Sequence, residues 1–142
     1  MSLHDENQGA GRTLKVLLYS DDRSTRDEVR LALGRRIAAD LPEVEIFDTA
    51  TAPAAATAAK SGNYDVLILD GEASPLGGMG LGRQLKDEMP DCPPVVLLVA
   101  RVADAWLATW SQAEAIEPFP IDPVRLPQTV ATVARQRLGI IA

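Results

Sequence analysis

Four apolar residues in a row, Val66, Leu67, Ile68 and Leu69, end abruptly on a carboxylate at Asp70. Tyr64 and Asp65 precede the run, and a stretch holding Gly71, Gly77, Gly78, Gly80 and Gly82 follows it. So short a run between turn formers predicts a strand buried on both faces, the habit of a central strand in a parallel sheet. Asp70 then stands at that strand's carboxyl end, where open α/β sheets place their ligands.

The rest of the chain supplies the neighbours such a strand needs. Residues 14–20 form a mostly apolar strand ending on Asp21 and Asp22. Ser24 or Thr25 then caps a helix, with Glu28 completing a capping box and Val29, Ala32, Leu33 and Ile37 at helical spacing. Residues 44–47 read as a second strand and 51–60 as an alanine-rich helix that Gly62 ends. Residues 65–69 are the third strand, and Leu81, Leu85 and Met89 give one face to a third helix. Residues 94–99 are a fourth buried strand. A helix over 104–113 carries Trp106, Leu107 and Trp110; a short strand over 115–117 and a helix with Leu126, Val130, Val133 and Leu138 close the chain. Five strands alternating with five helices predict an α/β sandwich around a parallel sheet with right-handed crossovers. In the order 2-1-3-4-5 the first and third strands are neighbours, so Asp21, Asp22 and Asp70 converge at the switch point.

Carboxylates this close repel one another and either hold a proton or bind a cation. An all-oxygen site suits Mg²⁺, which would also make Asp70 a nucleophile toward a phosphoryl group. The plainer reading has strand-end acids capping helices and facing water; three acids on two adjacent strands favour the site. Other classes are excluded. A net charge of −6 argues against nucleic acid. His4 is the lone histidine and Cys92 the lone cysteine, so neither a zinc cluster nor an internal disulfide is built, and a reducing, cytoplasmic setting fits. No apolar run reaches membrane-spanning length, which excludes direct insertion. The glycines match neither GxxxxGK[ST] nor GxGxxG; flexibility beside Asp70 is their expected role, with Gly80 in the turn before the third helix. At 142 residues the chain is one domain. Residues 1–13 are expected to be a disordered tail, 14–139 the folded domain and 140–142 a short tail.

From residue 14 to 138 the sequence resembles the response-regulator receiver family, whose fold is flavodoxin-like and doubly wound. VLLYSDDRSTRDEV is similar to its first strand, acidic pair and first helix; YDVLILD to its third strand; and Glu117-Pro118-Phe119 stands in place of its Lys-Pro-Phe. The resemblance implies Asp70 at the phosphoacceptor position. It implies a metal set of Asp21, Asp22, Asp70 and Glu72, the last through its carbonyl. It leaves open whether Glu117–Pro118 is cis, as the family's Lys-Pro often is. ILDGEASPLGGMG and the tryptophan-bearing helix further resemble short orphan receivers of actinobacteria, some associated with respiratory complex I.

The departures from the family matter as much. Val99 replaces the Ser or Thr that bonds the phosphoryl group and has no donor. Glu117 replaces the neutralising Lys, which is expected to add a fourth negative charge to the site. Glu114 replaces the aromatic switch residue. A receiver responds because these contacts differ between its two states; without them a modification shifts little. The expectation is a degenerate receiver, a non-enzymatic interaction module with weak Mg²⁺ binding at most. Its protein partner would be a larger assembly such as complex I, which would place it peripherally at a membrane. The alternative is a phosphorylatable single-domain regulator served by a histidine kinase. An aspartate-nucleophile phosphatase is disfavoured, for it would need an earlier Asp and a supporting Lys. Trp106 and Trp110 share a helix face; at least one is expected in the core, with Leu107 and the other available to a partner.

Overall fold

The computed structural model describes residues 12–101 and 106–140. Within them strands and helices alternate: β1 (Leu14–Tyr19), α1 (Arg23–Leu33), β2 (Val44–Thr49), α2 (Ala52–Ser61), β3 (Val66–Asp70), α3 (Gly78–Glu88), β4 (Val95–Val99), α4 (Trp106–Ser111), β5 (Ala115–Pro118) and α5 (Arg125–Leu138). The strands form one sheet in the order β2-β1-β3-β4-β5, every pair parallel. The order is the one the sequence predicts.

Every residue of β3 and β4 is buried, whereas edge strand β2 alternates between half-buried and exposed over most of its length. Strand side chains alternate faces, so parity in the numbering sorts the core. Val16, Leu18, Val66, Ile68, Val96 and Leu98 pack with Val29 and Leu33 of α1 and Leu126 and Val130 of α5. Leu17, Tyr19, Leu67, Leu69, Leu97 and Val99 pack with Ala55 and Ala59 of α2 and Leu81 and Leu85 of α3. Each fully buried Leu, Ile or Val contributes about 1.5–3 kcal/mol. Small alanines on α2 bring it close to the sheet.

Several local expectations are corrected. Neither Ser24 nor Thr25 caps α1: Asp22, in extended conformation, accepts the Ser24 amide at 2.9 Å on Oδ1, and the helix begins at Arg23. Gly34, at φ +60°, ends α1 after Leu33, so Ile37 reaches the core from a loop. Gly71, Gly77 and Gly78 stand where a side chain would meet backbone, and Gly80 lies inside α3 rather than in the turn before it. A Cβ on Gly78 would stand 2.8 Å from the Leu69 carbonyl carbon, and one on Gly71 2.7 Å from the Leu98 oxygen. Backbone packs directly on backbone at the sheet's carboxyl end. Among the described residues the cis bonds are Ser74–Pro75 and Phe119–Pro120, and Glu117–Pro118 is not one of them. Pro118 closes β5 as extended chain, and the next amide, Phe119 N, donates to Val99 O at 2.8 Å. Among the described residues no helix is long and apolar enough to cross a membrane.

Candidate functional site

Strand register builds the site. Tyr19 of β1 lies opposite Leu69 of β3, so the residues one step on, Ser20 and Asp70, stand side by side on the α1/α5 face. Ser20 Oγ donates to Asp70 Oδ2 at 2.7 Å, and the Glu72 amide donates to Asp70 Oδ1 at 2.8 Å. Ser20 Oγ also accepts the Asp22 amide at 3.1 Å. Both side chains are buried, Asp70 being only 3% exposed. Burial pushes the Asp70 carboxyl above the usual carboxylate range; the Ser20 and Glu72 bonds oppose this, while the Asp21 and Glu72 charges add to it.

The acids assigned to a cation pocket are not gathered. Asp21 is exposed, accepts the Ser74 amide on Oδ2 at 3.2 Å, and reaches Asp70 through its charge. Asp22 is turned back onto α1; the Ser24 hydroxyl and amide hold its carboxyl below the usual range. Glu72 sends Oε2 across to the Ala100 amide at 3.2 Å. Among the described residues no three His, Cys, Asp or Glu side chains are grouped so as to hold a metal ion. The position facing Asp70 carries the Ser20 hydroxyl. Mg²⁺ takes one or two carboxylates and keeps several waters; what the sheet tip offers such an ion is Asp70 with the Asp21 charge acting on it.

The three substituted switch positions are each fixed by a local partner. Val99, 2% exposed, is taken into the α2/α3 layer. Glu117 follows Asp70 and Leu98 across the sheet in register, two strand spacings or about 10 Å away. Its buried carboxylate accepts Thr129 Oγ1 at 2.5 Å, with Arg125 Nε at 3.7 Å. The expectation that Glu117 charges the Asp70 site is therefore corrected, because that charge is turned toward α5. Glu114 accepts the Val95 amide at 2.7 Å and pairs with Lys86 Nζ at 2.7 Å, tying α3 to the start of β4.

Neither described tryptophan is in the core: Trp106 is 66% and Trp110 46% exposed. Placing one of them inside fails because α4 is a short outer helix. There the Arg83 guanidinium lies 4.8 Å from the Trp110 ring and donates to its carbonyl at 2.8 Å. The Leu107 side chain lies outside the described residues. Ser20, Thr129, Lys86 and Arg83 escape a reading of motifs. Only Ser20 leaves a signal, the shared parity of Leu18 with Ser20 and of Ile68 with Asp70.

No family model matches the chain. Two response regulatory proteins of Mycobacterium tuberculosis, from strains CDC 1551 / Oshkosh and ATCC 25618 / H37Rv, are each 48% identical over 122 residues, covering 86% of this chain and 92% of theirs. Among solved structures, the receiver domain of Francisella response regulator 1452 superposes with a TM-score of 0.75 at 18% identity, covering 87% of this chain and 98% of that one. A CheY-like receiver domain from Methanospirillum hungatei JF-1 gives 0.71 at 16%, covering 89% and 98%. Thermotoga maritima TrrA, solved with Mg²⁺ and BeF, gives 0.69 at 22%, covering 84% and 97%. These structural likenesses bear on the fold.

Proposed function

The chain belongs to the response-regulator receiver family, and from that membership we propose that it is an atypical receiver acting as a protein-interaction module without the standard phosphorylation switch. Receiver domains interact with proteins such as histidine kinases. The partner proposed here is instead a larger assembly, such as respiratory complex I, which would hold the protein peripherally at the membrane from the cytoplasmic side. Mg²⁺ enters this reading only as a weak ligand, and no enzymatic step is assigned.

The observation that carries it is Glu117. At the position matched to the family's lysine stands a buried carboxylate fastened to Thr129 and Arg125 of α5. Val99, packed in the opposite layer, and Glu114, paired with Lys86, support the same reading. A phosphoryl group on Asp70 would find neither a hydroxyl at Val99 nor a cation at 117. A ligand without differential contacts shifts no equilibrium. Trp106, Trp110 and Leu107 on α4 are the proposed contact residues, and the exposure of the two tryptophans favours binding.

The test adds acetyl phosphate, or beryllofluoride, with Mg²⁺ to the isolated protein and reads a Phos-tag gel and amide NMR spectra. Expected is little modification and no shift in the α4–β5–α5 signals; stoichiometric modification with a large shift there overturns the reading. Capture from the native cell, compared with Trp106→Ala, names the partner; undiminished capture by that variant removes α4 from the contact. A second reading, a phosphorylatable single-domain regulator, is favoured by Asp70 at the sheet tip with the Ser20 hydroxyl 2.7 Å away.

A further inference from the structure

We infer that Ser20 is the residue that decides whether the sheet tip takes a divalent cation, and that in this chain it closes the tip against one. The inference deepens the reading of a switchless receiver and rests on it. Its basis is separate: the hydrogen bonds around Asp70 rather than the substituted positions 99, 114 and 117.

A cation ligated by Asp70 would have to use the lone pairs that its hydrogen bonds leave over, and it binds best with a second carboxylate close by. Asp70 Oδ2 already accepts the Ser20 proton at 2.7 Å, and Oδ1 accepts the Glu72 amide at 2.8 Å. Neighbouring acids are engaged likewise: Asp21 by the Ser74 amide, Asp22 by Ser24, Glu72 by the Ala100 amide. An incoming ion would compete with the Ser20 proton at Asp70 Oδ2 and would meet a neutral hydroxyl, not a second carboxylate, on that side. Ser20 has no easy way aside. It is wholly buried, follows the fixed Tyr19–Leu69 register, and its oxygen also holds the Asp22 amide at the mouth of α1. The hydroxyl thus does for Asp70 part of what a cation would do, and does it without a charge.

An aspartate at position 20 would set two carboxylates against each other at hydrogen-bond range. Such a pair must share a proton or recruit a cation. The single change Ser20→Asp is therefore expected to install the cation requirement that the native chain lacks.

The experiment titrates MgCl₂ and MnCl₂ into the full chain and follows amide NMR and thermal melting. In the wild type, the Asp22 and Glu72 amides are expected to keep their positions through millimolar Mg²⁺, and Mn²⁺ to broaden them no more than other surface amides. Ser20→Asp is expected to show saturable Mg²⁺ binding about tenfold tighter or more, read as a Mg²⁺-dependent rise in Tm. Asp70→Asn in that background should abolish it, and Ser20→Ala should gain no comparable site. Saturable movement of the wild-type Asp22 and Glu72 amides at low-millimolar Mg²⁺ overturns the inference, as does a folded Ser20→Asp that binds no better than wild type. If Ser20→Asp folds only with Mg²⁺ present, that supports it; if it folds under neither condition, the wild-type amides decide. Wild-type cation binding would leave the docking reading standing, and a phosphodonor response of the α4–β5–α5 face would remove that reading alone.

Discussion

Asp70 is the residue whose chemistry is most altered by its place. Burial raises its carboxyl pKa above the unfolded value, so the folded chain holds this proton more tightly than the unfolded one. The stability linked to it is complete below about pH 4, the ordinary aspartate range, and is lost as pH rises through the folded pKa. Above the folded pKa the charge is a cost. Asp70→Asn is therefore expected to raise Tm at pH 7 and to lose that advantage as pH falls toward 4; melts of both proteins across that range check it. Glu117 is held by the Thr129 hydroxyl, with Arg125 beside it. Thr129→Val keeps the volume and removes the donor, leaving a buried carboxylate with Arg125 alone. That loss is expected to cost about 1–3 kcal/mol, measured by urea denaturation, and a neutral outcome would mean that Thr129 does not hold Glu117. Asp70 itself was legible as the end of an apolar run. Ser20 was not, because the motif Asp21-Asp22 draws the eye one residue too far while side-chain parity places Ser20 opposite Asp70.

At the scale of elements, the sequence marks each strand and helix, and its errors fall at ends where a side chain competes for backbone groups. Asp22 takes the α1 cap that Ser24 or Thr25 seemed placed for, because its carboxylate reaches the second amide ahead from extended backbone. Gly71 and Gly78 look like a flexible loop, yet each meets backbone where any side chain would collide. Pairing between elements left no trace in local sequence at all. Lys86 on α3 and Glu114 before β5 are 28 residues apart. They meet with the Lys86 side chain 11% and the Glu114 side chain 36% exposed. The pair is expected to respond asymmetrically. Lys86→Met removes a charge and keeps the stem's packing, so it should cost about 1 kcal/mol or less. Glu114→Ala also frees the Val95 amide and leaves a mostly buried ammonium with the Pro93 carbonyl at 3.4 Å, so it should cost distinctly more. Chemical denaturation of the two variants checks the order; the reverse order would show that the lysine stem, rather than the carboxylate, joins α3 to β4.

Over the whole molecule, one register ties the sheet tip together, so no departure from the family acts alone. Ser20, Asp70 and Glu117 project on the α1/α5 face, while Val99 projects into the α2/α3 layer. Restoring a hydroxyl and a cation by Val99→Thr with Glu117→Lys therefore meets two obstacles. The threonine would bury a hydroxyl within an apolar layer, at about 1–3 kcal/mol if unpaired. The lysine would face Arg125 and would leave Thr129 without its carboxylate acceptor. Even if both side chains turned toward Asp70, the Ser20 hydroxyl would still compete at Oδ2 with the ion that completes a beryllofluoride adduct. The double variant is accordingly expected to be less stable than wild type and still silent toward beryllofluoride with Mg²⁺. Adding Ser20→Asp is expected to produce the first saturable response, read as amide shifts running from the tip through β5 to α5. If the double variant responds on its own, the closure at Ser20 is not what separates this receiver from a switching one, and the substituted positions 99 and 117 are enough.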